Sequence, residues 1–277
     1  MEKHLLRRQL AAFLAEDVGC GDLTSESIFT PEQTGAARLV ARQHCLAAGV
    51  AAVAAEVFHV QNEAIVCENC LADGQEVTPG MAIMTVRGPV VDLLKAERVA
   101  LNLLQRLCGI ATLTSQYARL VAGTKARIVD TRKTTPGLRL LEKYAVTVGG
   151  GGNHRYNLAD GVLVKDNHIA ACGGIATAVA RLRQRVPHTI RIEVECDSLE
   201  QVADCLACGV DCILLDNMTP DILRQAVALI AGQALTEASG GVNLDTVAEI
   251  AATGVDLISV GAITHSAPHC DIGMDWL

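Results

Sequence analysis

From residue 124 onward the chain repeats one pattern, a short apolar run followed by a stretch with helical spacing. The runs fall at 127–130, 161–165, 190–195, 212–216, 234–238 and 257–260. Runs this short and this apolar read as buried strands, and helical stretches between them predict parallel strands covered by helices. Each run is closed by residues able to do chemistry: Arg132-Lys133, Lys165, Glu195, Asp216, Ser239-Gly240-Gly241, and Gly261. A β/α barrel gathers strand ends around one mouth, which accounts for all six endings together. Six strands are fewer than eight, so the expected barrel is incomplete or hides a strand.

The preceding part reads differently. Residues 1–16 have helical spacing, stopped at 17–22; a strand at 36–41 leads to an alanine-rich helix at 47–58, and short β-like runs separated by Asp73-Gly74, Pro79-Gly80 and Gly88-Pro89 fill 64–94. A long helical pattern covers 92–121, with a possible break at Gly109. The fold class is therefore α/β, with an N-terminal α+β domain at 1–110 and the barrel at 111–264. The tail 265–277 carries a short extra strand.

Residues 125–165 hold eight cations against three acids in a chain of net charge −8. A basic island in an acidic protein points to a small anionic ligand, because a nucleic-acid binder is basic over a whole face. Its centre is DTRKTTPGLR, 130–139. Adjacent Arg132 and Lys133 reach one ligand only if a turn begins there, and Thr134, Thr135, Pro136 and Gly137 supply it. The glycine run 149–152 lets backbone approach a ligand and leads to His154 and Arg155.

Ser239-Gly240-Gly241 precedes Asn243, a good N-cap, and a helical run at 244–251. Exposed N–H groups beside a helix start make a phosphate cradle, and Gly261-Ala262 closes the adjacent strand. Glu195 and Asp216 end neighbouring strands. They suit Mg²⁺ held through water, ribose hydroxyls or general acid–base work, and spacing alone does not choose among these. Arg132, Lys133, His154, Arg155 and Lys165 offer more donors than one phosphate needs; a dicarboxylate plus a pyrophosphate would use them all.

No run of eighteen uncharged apolar residues occurs, which argues against a membrane span, and the charged N-terminus lacks the form of a secretory signal. The cytoplasm is the default expectation. Eleven cysteines, an odd number, argue against a complete disulfide framework, and the two CxxC pairs lack zinc-ligand partners. Cys205 and Cys208 share a helix face and are expected to pack as small apolar groups.

The segment 130–155, DTRKTTPGLRLLEKYAVTVGGGGNHR, followed by VLVKDNHI, resembles the signature of the quinolinate phosphoribosyltransferases, the decarboxylating nicotinate-nucleotide pyrophosphorylases of NAD biosynthesis. EDVGCGD, AERVALNLLQRLCGIATLT, IEVEC, LLDNM, EASGG and SVGAITHS extend the likeness over nearly the whole chain. The resemblance implies quinolinate and phosphoribosyl pyrophosphate as substrates, Mg²⁺ as cofactor, and no nucleic-acid or membrane partner. It assigns Arg98, Arg132, His154, Arg155 and Lys165 to quinolinate, Lys133 to the space between substrates, and Glu195 and Asp216 to ribose and Mg²⁺. Thr131, Ser239, Gly240, Gly241, Gly261 and Ala262 flank substrate or phosphate, and Lys133, Lys165, Glu195 and Asp216 form the catalytic set. It also implies a homodimer with shared sites, Arg98 reaching the partner's mouth, and a C-terminal tail that returns to the N-terminal domain. Cys108, where the family often has serine, and Cys196, beside Glu195, are expected to confer thiol sensitivity.

Three rivals remain open on sequence: a Schiff-base aldolase using Lys165, a silent phosphosugar-binding protein, and the molybdate-operon paralogue of the same family.

Overall fold

The computed structural model describes residues 2–277; Met1, the first residue of the expected N-terminal helix, lies outside the described residues. The chain forms two compact units. The first comprises the chain up to Leu113, Leu140–Gly149 and Ala267–Leu277, and the second Thr114–Arg139 and Gly150–Ser266. The sequence boundary had assigned 140–149 to the barrel, but the structure groups it with the first unit.

In the first unit, α1 (Lys3–Val18) and α2 (Leu23–Ile28) precede β1 (Thr34–Ala41) and β2 (Cys45–Leu46). A π-helical turn, Val50–Ala54, runs into α3 (Ala55–Gln61). Then come β3 (Val66–Glu68), β4 (Glu76–Val77), β5 (Ala82–Pro89) and α4 (Val90–Leu120), which continues in sequence into the second unit. Leu6, Leu10 and Leu14 recur every fourth residue, so α1 buries one stripe, and it packs on α3, where Phe58 is fully buried. Each such side chain contributes about 1.5–3 kcal/mol when removed from water.

No break interrupts α4 at Gly109. A Cβ there would lie 1.9 Å from the Pro268 carbonyl oxygen, so the glycine serves a close backbone approach. Near it Arg106 pairs with the fully buried Glu142 at 2.9 Å.

The second unit contains β6 (Arg127–Val129) and then α5 (Arg139–Val148), of which only Arg139 belongs to this unit. Next are β7 (Val162–Val164), α6 (Asp166–Cys172), α7 (Ile175–Arg185), β8 (Ile192–Cys196) and α8 (Leu199–Cys208). The remainder is β9 (Cys212–Asp216), α9 (Pro220–Ile230), β10 (Leu235–Ser239), α10 (Val247–Ala252), β11 (Leu257–Ser259) and α11 (Ala262–His265). The final strand, β12 (Ile272–Trp276), belongs to the first unit, where the four-stranded sheet has the order β12-β1-β5-β3.

All six strands expected after residue 124 form one parallel sheet, ordered β6-β11-β10-β9-β8-β7. The sheet is open: β6 and β7 are not paired with each other, as expected of an incomplete barrel. The helix after Gly241 starts at Val247, later than the sequence spacing predicts, because Asn243 instead caps a turn, its Oδ1 accepting from the N–H groups of Asp245 and Thr246. All eleven cysteines are free, and Cys108 and Cys196 are 0 % and 1 % exposed. Burial denies both to reagents in solution, so thiol sensitivity does not reside there.

Candidate active site

Strand alternation decides which side chains meet. Lys165 just after β7, Glu195 on β8, and Asp216 and Ser239 at the ends of β9 and β10 line one cavity of about 640 Å³. It lies wholly within the second unit. The β9–β10 register sets Asp216 directly beside Ser239. This is the carboxyl end of a parallel sheet, where chain reversals leave room for ligands.

The loop after β6 contributes the cations. Arg132, Lys133 and Thr131 line the cavity, and the Thr134 N–H donates to the Arg132 carbonyl at 2.9 Å, the turn that lets both cations face inward. Arg139, which sequence reasoning counted in the basic island but not in the site, also lines it. Its guanidinium donates to Thr134 Oγ1 at 2.9 Å and to the Tyr156 carbonyl at 2.9 Å, bracing the loop. Thr264 Oγ1 holds the Lys133 carbonyl at 2.8 Å.

His154 and Arg155 come to the cavity through Asp130. That carboxylate is fully buried and accepts from Asn153 Nδ2 at 2.7 Å and the His154 N–H at 2.8 Å. The glycine run does not line the cavity as expected; Gly152 instead pairs with β6 at Val129. Arg155 Nη1 donates to the Gly161 carbonyl at 2.8 Å. Burial, and next the charge of Arg132, push the Arg155 pKa down. A half-buried guanidinium with a second cation facing the same cavity is an arrangement an anion relieves.

On the acidic side Lys165 Nζ meets Glu195 Oε2 at 2.7 Å, and Asn217 Nδ2 donates to Asp216 Oδ2 at 2.6 Å. Gly240 has φ +93°, and a Cβ on it would lie 2.2 Å from Asn217 Oδ1 and 2.8 Å from the Asn217 nitrogen. The cradle at Ser239-Gly240-Gly241 therefore requires glycine at its centre, and all three residues line the cavity.

Gly261 and Ala262 are not among the lining residues, although a Cβ on Gly261 would lie 3.0 Å from Lys133 Cδ, which places it against that side chain. Arg98 is exposed on α4 in the first unit and does not line the cavity. Sequence reasoning missed Glu193, Asn217, Glu237 and Ser259. A signal for Glu193 was present: in IEVEC it stands two residues before Glu195 and so on the same strand face.

Fold and cavity together define an α/β protein of the class that gathers cations, carboxylates and a glycine cradle at the carboxyl ends of parallel strands. Residues 22–108 match the N-terminal domain of quinolinate phosphoribosyl transferase and residues 110–275 its C-terminal domain. The chain belongs to the quinolinate phosphoribosyltransferase family. It is 46% identical over 270 residues to the probable nicotinate-nucleotide pyrophosphorylase (carboxylating) of Bacillus subtilis, covering 98% of this chain and 93% of that one. It is 42% identical over 269 residues to the nicotinate-nucleotide pyrophosphorylase (carboxylating) of Mycobacterium leprae, covering 95% and 94%. The crystal structure of NadC from Streptococcus pyogenes superposes with a TM-score of 0.95 at 39% identity, over 100% of this chain and 99% of that one.

Proposed function

We propose that the chain transfers the phosphoribosyl group of phosphoribosyl pyrophosphate to the ring nitrogen of quinolinate, releasing pyrophosphate and CO₂ and forming nicotinate mononucleotide for NAD biosynthesis. The observation that carries this reading is the gathering of Arg132, Lys133, Arg155 and Lys165 around one cavity. A ligand with two adjacent carboxylates satisfies both guanidinium groups through paired hydrogen bonds. The experiment is to incubate the protein with quinolinate, nicotinate, phosphoribosyl pyrophosphate and Mg²⁺ in separate combinations and assay CO₂ and mononucleotide.

Arg132, Arg155, His154 and Lys165 hold quinolinate in this reading, and Lys133 sits between the two substrates. Ser239, Gly240 and Gly241 receive the 5-phosphate through backbone N–H groups, with Gly261, Ala262 and Thr131 beside them. Glu195 and Asp216 take the ribose hydroxyls and Mg²⁺. Both offer carboxylate oxygens to the cavity, the donor type a hard divalent cation takes, and their present partners are an ammonium and an amide that a cation replaces. Bound there, through water, Mg²⁺ would offset charge on the departing pyrophosphate.

As the C1–O bond to pyrophosphate lengthens, the ribose gains oxocarbenium character and the quinolinate nitrogen attacks C1. Cations held in place supply the stabilisation, with no covalent enzyme intermediate. The quaternised nitrogen then stabilises the electron pair left on the adjacent carbon when CO₂ departs, and a proton taken up from solvent forms the C–H bond of nicotinate mononucleotide. Lys165 is ion-paired to Glu195, whereas a Schiff-base lysine has to shed its proton, which disfavours the aldolase reading.

The working form is a homodimer in which Arg98 of one copy completes the cavity of the other; its exposure on α4 and its absence from the cavity lining support this. Eleven unpaired thiols fit a reducing compartment, and the cytoplasm is the assigned location. No described helix is long and apolar enough to cross a membrane.

A further inference from the structure

Two residues back along β8, β9 and β10 from the mouth residues, the same strand faces carry Glu193, Leu214 and Glu237. Leu214 and Glu237 floor the cavity, with Ser259 of β11 beside them. An acid at this depth is costly: Glu193 is 8% exposed and Glu237 1%. His154 Nε2 lies 3.1 Å from Glu193 Oε2 and 3.8 Å from Glu237 Oε1.

The residue types suit a divalent cation, but the ring's other nitrogen argues against one. His154 Nδ1 accepts the Arg155 backbone N–H at 2.7 Å. An imidazole whose Nδ1 accepts carries its proton on Nε2, so His154 donates to Glu193 and has no lone pair for a metal. Glu237 Oε1 has no hydrogen-bond partner among the described residues.

The groups facing Glu237 are known from each neighbouring element. β8 brings Glu193, β9 Cys212, β11 Ser259, and the segment beside β6 brings His154 and Asp130. None of these is a lysine or arginine. Two carboxylates this close in a buried layer do not both ionise. Burial first, and the Glu193 charge second, raise the Glu237 pKa to about 7, with the His154 ring acting the other way.

We propose that Glu237 is a positioning residue for the quinolinate subsite: it stands as a neutral carboxylic acid beneath the mouth, keeps the ring of His154 against Glu193, and adds no further negative charge to the floor. This rests on reading the cavity as the anion site. Ionising Glu237 would place a further negative charge beneath a bound dianion and offset the attraction of the cations above it.

The test is calorimetry of quinolinate binding to the intact protein from pH 6 to 9, for wild type and Glu237→Gln, the isostere of the neutral acid. Wild-type affinity should fall about tenfold as Glu237 ionises, the effect of one unit charge several ångströms from a dianion in a partly buried site. Glu237→Gln should match the wild type at pH 6 within about threefold and stay flat, because it keeps the neutral form throughout. Glu237→Ala should bind poorly at every pH. Infrared difference spectra of the wild type between pH 6 and 9 should show loss of a carboxylic-acid carbonyl band, and this decides the matter if Glu237→Gln does not fold. The proposal is overturned if wild type and Glu237→Gln share one pH dependence, or if no acid band is present at pH 6. A wild type that makes no nicotinate mononucleotide would instead sink the functional reading, with the infrared band still reporting on Glu237.

Discussion

Replacing Gly240 and Gly241 by alanine in turn separates backbone strain from close approach. Gly241 has φ +60° with open space around its missing Cβ. Alanine there pays about 1 kcal/mol for the left-handed conformation, offset by about 0.4–1 kcal/mol from the stiffer unfolded chain. Gly241→Ala should therefore leave folding stability within roughly 1 kcal/mol of wild type. Gly240, at φ +93°, adds contacts of 2.2 Å and 2.8 Å to Asn217. The second of these involves the Asn217 backbone, which itself donates to the Ser239 carbonyl at 2.9 Å, so relief requires both loops to move. Strain and displacement together should cost about 2–4 kcal/mol. The moving Asn217 also carries the amide that orients Asp216. Gly240→Ala should then raise the KM for phosphoribosyl pyrophosphate by about tenfold or more while changing quinolinate binding little. Urea denaturation and steady-state kinetics on both variants measure this. Equal stability losses in the two variants, or a Gly240→Ala defect confined to quinolinate, would refute the reasoning.

Nicotinate, lacking the second carboxylate, should lose about 2–4 kcal/mol in kcat/KM, roughly thirty- to a thousandfold, because it leaves guanidinium donors unpaired; comparable turnover of the two acids would contradict the assignment. Asp216→Asn should weaken Mg²⁺-dependent use of phosphoribosyl pyrophosphate far more than quinolinate binding, and Arg155→Ala the reverse; calorimetry giving one pattern for both would show the cavity to be wrongly divided. Arg98→Ala and Lys165→Ala should each be nearly inactive alone, yet when unfolded and reassembled together should recover roughly a quarter of wild-type activity in mixed dimers. Mixtures that exchange subunits and stay inactive would exclude the shared site.

The sheet of the second unit was legible because its strands are short, apolar and separated by helical spacing, and the mouth was legible because chemistry concentrates where strands end. The layer beneath was not. Glu193 and Glu237 sit inside strands, where alternation normally marks an acid as facing water; β8 and β10 are interior strands of a helix-covered parallel sheet, and neither has a water-facing side there. Gly109 misled for a related reason, since a helix breaker and a close-approach glycine look alike until the Pro268 carbonyl is in place. Residues 140–149 follow the basic loop directly in sequence, yet group with the first unit through long-range contacts such as Glu142 with Arg106, which no local pattern announces.

The pairing of β1 with β12 has a consequence for the order in which this protein is made. Ala37 is matched to Trp276 and Ala41 to Ile272, so the sheet of the first unit joins strands separated in sequence by the whole second unit. A ribosome releases β1 before the strands of the second unit and β12 after all of them. The second unit has all its strands available before then, whereas β1 keeps one flank of N–H and C=O groups open until β12 emerges. A nascent chain stalled before Ile272 should therefore carry a finished parallel sheet and an open β1 edge, the surface to which a chaperone or another nascent copy would attach.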